Sequence, residues 1–190
     1  MTRYTSPRTP EMSEGQRALR DTIVNGPRGQ AGATLIDSED RLVGPFGPML
    51  LDPRLGNHLQ EIGLGVQASS HIPAEIRELI ILRVAAVREC PFEWNAHLKK
   101  ARALGVPEEL VASMVDGNLP RDADPTTTAL LGYVQALLDN AELSDEHYDR
   151  VSAVGGPEAV FAVTVLVGYY ELLANLFRAF DLDRPRPEPV

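Results

Sequence analysis

The chain has 190 residues, and at about 150 residues per domain this points to one folded domain with an elaborated end. Hydrophobic residues make up 44% and charged residues 24%, the proportions of a soluble globular protein, which exclude a disordered chain and a membrane bundle. Eighteen basic against 27 acidic residues leave a net charge of −9, which argues against a nucleic-acid partner, and a single cysteine excludes an intrachain disulfide or a multi-thiolate metal cluster.

Residues 1–12 read as a flexible, solvated tail, and the lack of an apolar stretch before the first charges leaves the cytoplasm as the expected location. A helix follows over Ser13 to Val24 with Ser13 as its N-cap. The Gly-rich stretch from Asn25 to Pro48 carries Leu35, Ile36, Leu42, Val43, Phe46 and Met49, too apolar for a free linker. We expect it to pack over a pocket or a neighbouring subunit, with Thr34–Ile36 and Leu42–Val43 as a possible short hairpin. Six later prolines, Pro53, Pro73, Pro91, Pro107, Pro125 and Pro157, each precede apolar residues at helical spacing. Proline suits a first helical position because no amide donor is lost there.

Six helices start from those prolines. The first shows a stripe of Leu55, Leu59, Ile62 and Val66, and the second is apolar nearly all round and therefore central. The third runs from Pro91 to Leu104 and stops at Gly105. A short amphipathic helix spans Pro107 to Val115. The next runs from Pro125 to about Leu138 and ends at Asp139-Asn140. A helix with an acidic first turn begins at Ser144, and Gly155-Gly156 separates it from a long last helix, Pro157 to about Phe180. Its apolar run from Ala159 to Tyr170 is too short to span a bilayer, so no membrane is expected as a partner. The fold class is all-α, with one helical domain over residues 13–183 and a flexible tail at 184–190.

Chemistry concentrates between Arg77 and Ala103. Pro91 makes Cys90 the N-cap of its helix, where unpaired amides and the helix dipole favour a thiolate. Glu93 and His97, four residues apart, share one face of that helix, and a carboxylate beside an imidazole is a usable acid–base pair near neutral pH. Each piece also has an ordinary explanation. Glu93 suits a capping box, a Glu/His pair suits a solvated face, and a lone cysteine is commonly a small buried hydrophobe. Glu78 lies inside the most apolar helix and needs a partner to be tolerated there, for which His97 is a candidate. One histidine with two carboxylates is weak as a metal motif, so no metal is expected. His58, His71 and His147 read as surface residues, and Tyr169 and Tyr170 as core or interface aromatics.

The spacing Glu78-x11-Cys90-x2-Glu93-x3-His97, with Arg77-Glu78-Leu79 before it and Phe92-Glu93-Trp94 inside it, resembles the carboxymuconolactone decarboxylase and alkylhydroperoxidase D superfamily. Gly44-Pro45-Phe46, Leu51-Asp52-Pro53-Arg54-Leu55, Ala101-x3-Gly105 and Val167-Gly168-Tyr169-Tyr170 extend the resemblance over most of residues 42 to 180. It implies an antiparallel helical bundle assembled as a homo-oligomer, a trimer or hexamer. In the alkylhydroperoxidase D-like members a Cys-x2-Cys pair works with an upstream glutamate and a following histidine. Glu78, Cys90 and His97 match three of those positions, and Glu93 stands where the second cysteine would be. Without a second thiol no intramolecular disulfide cycle can run.

The Glu-Trp-x2-His arrangement instead looks like the decarboxylase side. It implies cofactor-independent acid–base chemistry on a small carboxylic acid or lactone, with His97, Glu93 and Glu78 as catalytic candidates, Cys90 in support, and Trp94, Arg83 and Phe46 as substrate-binding candidates. Arg88 is a further candidate cation. A one-cysteine peroxidase acting through Cys90 is the alternative enzyme, and a non-catalytic helical oligomer with a polar core network is the alternative without chemistry.

Overall fold

The computed structural model describes residues 3–32, 34–139 and 142–182. Expectations for Met1, Thr2, Asn140 and the tail at 184–190 lie outside the described residues. The described residues are helical with no strand: α1 (Glu14–Asn25), α2 (Pro27–Gln30), α3 (Phe46–Met49), α4 (Pro53–Ala68), α5 (Ala74–Val87), α6 (Pro91–Ala103), α7 (Glu108–Asp116), α8 (Pro125–Leu138) and α9 (Asp145–Phe180). The expected hairpin reduces to a single antiparallel bridge, Ile36 with Leu42.

Local chemistry explains the helix starts. Ser13 and Gln16 cap α1 reciprocally, the Ser13 hydroxyl accepting from the Gln16 amide and the Gln16 side chain accepting from the Ser13 amide. The Asp52 carboxylate accepts from the Arg54 and Leu55 amides at the start of α4. Asp124 does the same for Thr127 at α8. Pro91 and Pro125 occupy the first turn of their helices, whereas Pro73 and Pro107 stand one residue outside, as N-caps.

The described residues form two compact units. One comprises residues 3–32, 34–67 and 175–182, the other residues 68–139 and 142–174. In the first unit, residues 3–12 are not a free tail. Met12 and Ser6 are buried, the Tyr4 hydroxyl donates to the Gly47 carbonyl, and the Arg3 amide donates to the carbonyl of Phe180. The stretch after α1 also packs within this unit, burying Leu35, Leu42, Met49 and Leu50.

The inward face of α4 differs from the expected leucine stripe. Gly56, Gln60, Gly63 and Val66 are buried, while Leu55 is 64% and Ile62 47% exposed. The cause is backbone proximity: a Cβ on Gly56 would lie 2.3 Å from the Met49 carbonyl oxygen and 2.9 Å from a Leu19 methyl. The glycine face lets α4 approach α1 and α3 closely, and that contact outweighs burial of the larger side chains.

The second unit is organised on α5, which packs against α6, α7 and α8. Ile80, Ile81 and Leu82 are fully buried, so the middle of this helix is enclosed on every side, as its nearly all-round apolar composition predicts. The last helix begins as two segments joined at Gly155-Gly156. Gly156 has φ 72° and ψ −176°, a conformation open essentially to glycine alone. Beyond the break, Ala159, Val163, Leu166, Val167 and Tyr170 are buried. By length and composition α9 is apolar enough to cross a membrane, with a mean hydropathy of 1.7 over its most apolar window. Its buried stripe is that of a core helix.

Arg83 serves this unit structurally. Its guanidinium donates to Gln135 Oε1 at 2.9 Å and to the carbonyls of Met114 and Val115, both at 3.0 Å. These carbonyls belong to the last turn of α7, so a positive charge and two donors sit at the negative end of that helix. Gly117 ends α7 with φ 81°, and a Cβ there would lie 2.8 Å from the guanidinium. Arg83→Met is expected to lower the unfolding free energy by about 1–3 kcal/mol, because it strands buried carbonyls. Urea denaturation of the two proteins measures the difference.

Candidate active site

A three-residue corner joins α5 to α6. Glu89 takes the left-handed conformation at φ 51°, and the Cys90 amide donates back to the Ala85 carbonyl at 2.9 Å, the Schellman closure of a helix end. Cys90 is then the N-cap of α6 and Pro91 its first residue. The short corner turns α6 back along α5, which brings His97 alongside Glu78 although 19 residues separate them.

His97 is held from both ring nitrogens. Nδ1 lies 2.6 Å from Glu78 Oε2. Nε2 lies 3.2 Å from the Tyr170 hydroxyl and 3.5 Å from Glu93 Oε2. The Tyr170 ring meets the imidazole edge-on at a centroid distance of 5.1 Å, and Tyr169 meets Tyr170 in the same manner at 5.4 Å. All members are out of solvent: Glu78 is 2%, Glu93 5%, His97 4% and Tyr170 5% exposed. The expected pairing of Glu78 with His97 and the shared face of Glu93 and His97 are thus both present.

Tyr170 joins this group against expectation. It is 73 residues from His97 along the chain, and its position on α9 carries no local signal beyond a polar tip on an apolar stripe. Cys90 is also buried, at 3% exposure. Trp94 is half-buried on α6 next to Glu93. The two candidate cations are committed elsewhere, Arg83 to the end of α7 and Arg88 to Glu171 through two of its nitrogens. Phe46 belongs to the first unit, where the Arg28 guanidinium lies over its ring at 5.2 Å. His58 is exposed near Glu61, and His147 is half-buried and bonded to Ser144. His71 is exposed as well.

Among the described residues no group of three or more His, Cys, Asp or Glu side chains is arranged to hold a metal ion. Glu78 and Glu93 approach opposite nitrogens of the imidazole, so they cannot join one of its lone pairs around a single ion. The arrangement suits proton transfer. Glu78 fixes the orientation of the ring and stabilises its charged form, while Nε2 is the nitrogen left to exchange a proton.

Burial acts most strongly on His97 and opposes its charge, but hydrogen bonds to Glu78 and Glu93 and the charge of Glu78 outweigh it, against a small opposing effect of Lys100. The imidazole is therefore held above its ordinary value of 6.5. A raised folded-state value favours the folded, protonated form. The resulting stability is complete below about pH 6.5 and is lost as pH rises through the higher folded value. The stability advantage of the native protein over His97→Gln is expected to shrink across that rise. Melting temperatures of both proteins from pH 5.5 to 9 test this, and a constant difference contradicts it.

Residues 53–136 match the carboxymuconolactone decarboxylase family. No curated protein matches the sequence. Among solved structures, a peroxidase-related protein from Ralstonia eutropha with an alkylhydroperoxidase AhpD core superposes with a TM-score of 0.74 at 16% identity, covering 98% of this chain and 93% of the other. An Agrobacterium tumefaciens protein of unknown function, linked by name to AhpD and antioxidant defence, gives 0.64 at 22% identity over 74% of this chain and 97% of its own. A cysteine-to-alanine variant of the debrominase Bmp8, solved with 2,3,4-tribromopyrrole, gives 0.72 at 16% identity over 96% and 93%. These likenesses concern the fold. The family match runs through α4, α5, α6, α7 and most of α8, 84 of the 190 residues.

Proposed function

We propose that the protein is a cofactor-independent acid–base enzyme that decarboxylates a small unsaturated carboxylic or lactone acid. The observation that carries this reading is the 2.6 Å contact between Glu78 and His97 Nδ1, with Nε2 left towards Glu93 and Tyr170. Such a substrate needs no electron sink from the protein. When the bond to the carboxylate carbon breaks, its electron pair enters the conjugated carbonyl system as an enolate, and carbon dioxide leaves. His97 Nε2–H then protonates the enolate carbon, and a solvent proton returns to His97. The sum is one carboxylate and one proton converted to product and carbon dioxide.

With Arg83 and Arg88 engaged within the fold, the positive charge available to the substrate is the His97 imidazolium itself. The amides of the first turn of α6 supply further donors for the developing oxyanion. The cluster is closed to solvent, so entry of a substrate requires local opening, which is a common gate in enzymes.

A one-cysteine peroxidase is the competing reading, favoured by the place of Cys90 at a helix N-terminus. Its 3% exposure opposes direct attack on a hydroperoxide. The test is a screen of unsaturated lactone acids, organic hydroperoxides and halogenated pyrroles, followed by two variants. On an accepted lactone acid, His97→Gln is expected to reduce kcat by about 100- to 10,000-fold, while Cys90→Ser leaves turnover nearly intact. Peroxide-dependent turnover abolished by Cys90→Ser would instead establish the peroxidase.

A further inference from the structure

Tyr170 supplies a hydroxyl that the acid–base reading leaves without a task. It is 5% exposed, and its oxygen lies 3.2 Å from His97 Nε2, closer than Glu93 at 3.5 Å. Its ring is held edge-on between the imidazole and Tyr169. On the next residue, Glu171 is joined to Arg88 at the end of α5, so this turn of α9 is tied to the corner that leads into α6. A hydroxyl held in this way stays within reach of Nε2.

The two neighbours of Nε2 prefer different states of the ring. While Nδ1–H is donated to Glu78, a neutral imidazole presents a lone pair at Nε2, and a phenol can donate to it. A charged imidazole presents N–H instead, for which an ionised carboxylate is the stronger acceptor. We propose that Tyr170 is a positioning residue of the acid–base site, donating its hydroxyl to Nε2 of neutral His97 and yielding that nitrogen to Glu93 when the ring gains a proton. Tyr170 thereby stabilises the neutral ring and limits how tightly the site holds its proton. An acid that has released its proton is returned to one defined orientation and tautomer.

The groups facing His97 are Glu78 from α5, Glu93 and Lys100 from α6 and Tyr170 from α9. Cys90 caps the same helix. From α7, Glu108 is engaged by Arg102 and Asp116 by the Asn118 amide. Tyr170→Phe removes the hydroxyl and keeps the ring.

The inference rests on the acid–base reading of the cluster, but its test observes the imidazole and needs no substrate. Nitrogen-15 NMR follows the histidine ring signals against pH in the native protein, Tyr170→Phe and Glu93→Gln, with His97 assigned by its loss in His97→Gln. Tyr170→Phe keeps the stacked ring and is expected to raise the His97 titration midpoint by about half a unit to one unit. It also moves neutral Nε2 towards the shift of an unbonded acceptor. Glu93→Gln is expected to lower the midpoint. A midpoint and Nε2 shift unchanged in a folded Tyr170→Phe protein overturn the proposal, as does a ring that stays charged across the whole folded pH range. If the substrate screen fails while these shifts appear, the decarboxylase reading falls and the role of Tyr170 in setting the protonation of His97 stands.

Discussion

The contact between Glu78 and His97 is the constraint to which the second unit is built. A carboxylate placed in a helix whose neighbours are isoleucine, leucine and valine is costly unless a charged or hydrogen-bonding partner meets it there. The partner comes from the next helix, and only because a three-residue corner, with Glu89 in a left-handed conformation, folds α6 directly back along α5. At 2.6 Å the pair is short enough to be a charge-assisted hydrogen bond. Everything that fixes the angle between α5 and α6 therefore also fixes the geometry of the imidazole.

Charge is distributed in this unit so that little of it is left over for the site. Arg83 neutralises the end of α7, and Arg88 is matched by Glu171. Two carboxylates flank a single imidazole, and the imidazole answers by holding its proton more firmly than it would in water. The same burial that makes His97 costly to charge makes its hydrogen bonds stronger, since the local dielectric is low for both effects. An acid enclosed in this manner is suited to deliver a proton to a substrate that has displaced the surrounding side chains.

Solved structures with this fold include peroxidase-related proteins, and the proposed chemistry turns on one position. In the sequence resemblance Glu93 stands where a second cysteine would complete a dithiol, and its side chain lies 3.5 Å from Nε2 of the imidazole. A thiol there would resolve a disulfide. A carboxylate there can only hold or accept a proton. Fold likeness at 16% to 22% identity does not choose between these outcomes. The side chains around His97 carry the argument.

Much of the helical framework was legible from residue order, since it depends on interactions within a few residues. Ser13, Asp124, Pro91 and Gly105 act on their own helix ends, and the Glu93–His97 spacing is a property of one helix turn. The stripe on α4 was misread because hydrophobicity does not reveal which face a neighbouring backbone will approach, and there Gly56 and Gly63 outweighed Leu55 and Ile62. The division into two units and the packing of residues 3–12 likewise rest on contacts between distant segments. So does Tyr170, whose hydroxyl reaches His97 across 73 residues of sequence. Local periodicity could place the acid and the imidazole on their helices, but which group meets Nε2 was decided by how α9 packs, because side-chain chemistry at that range is set by packing and not by spacing.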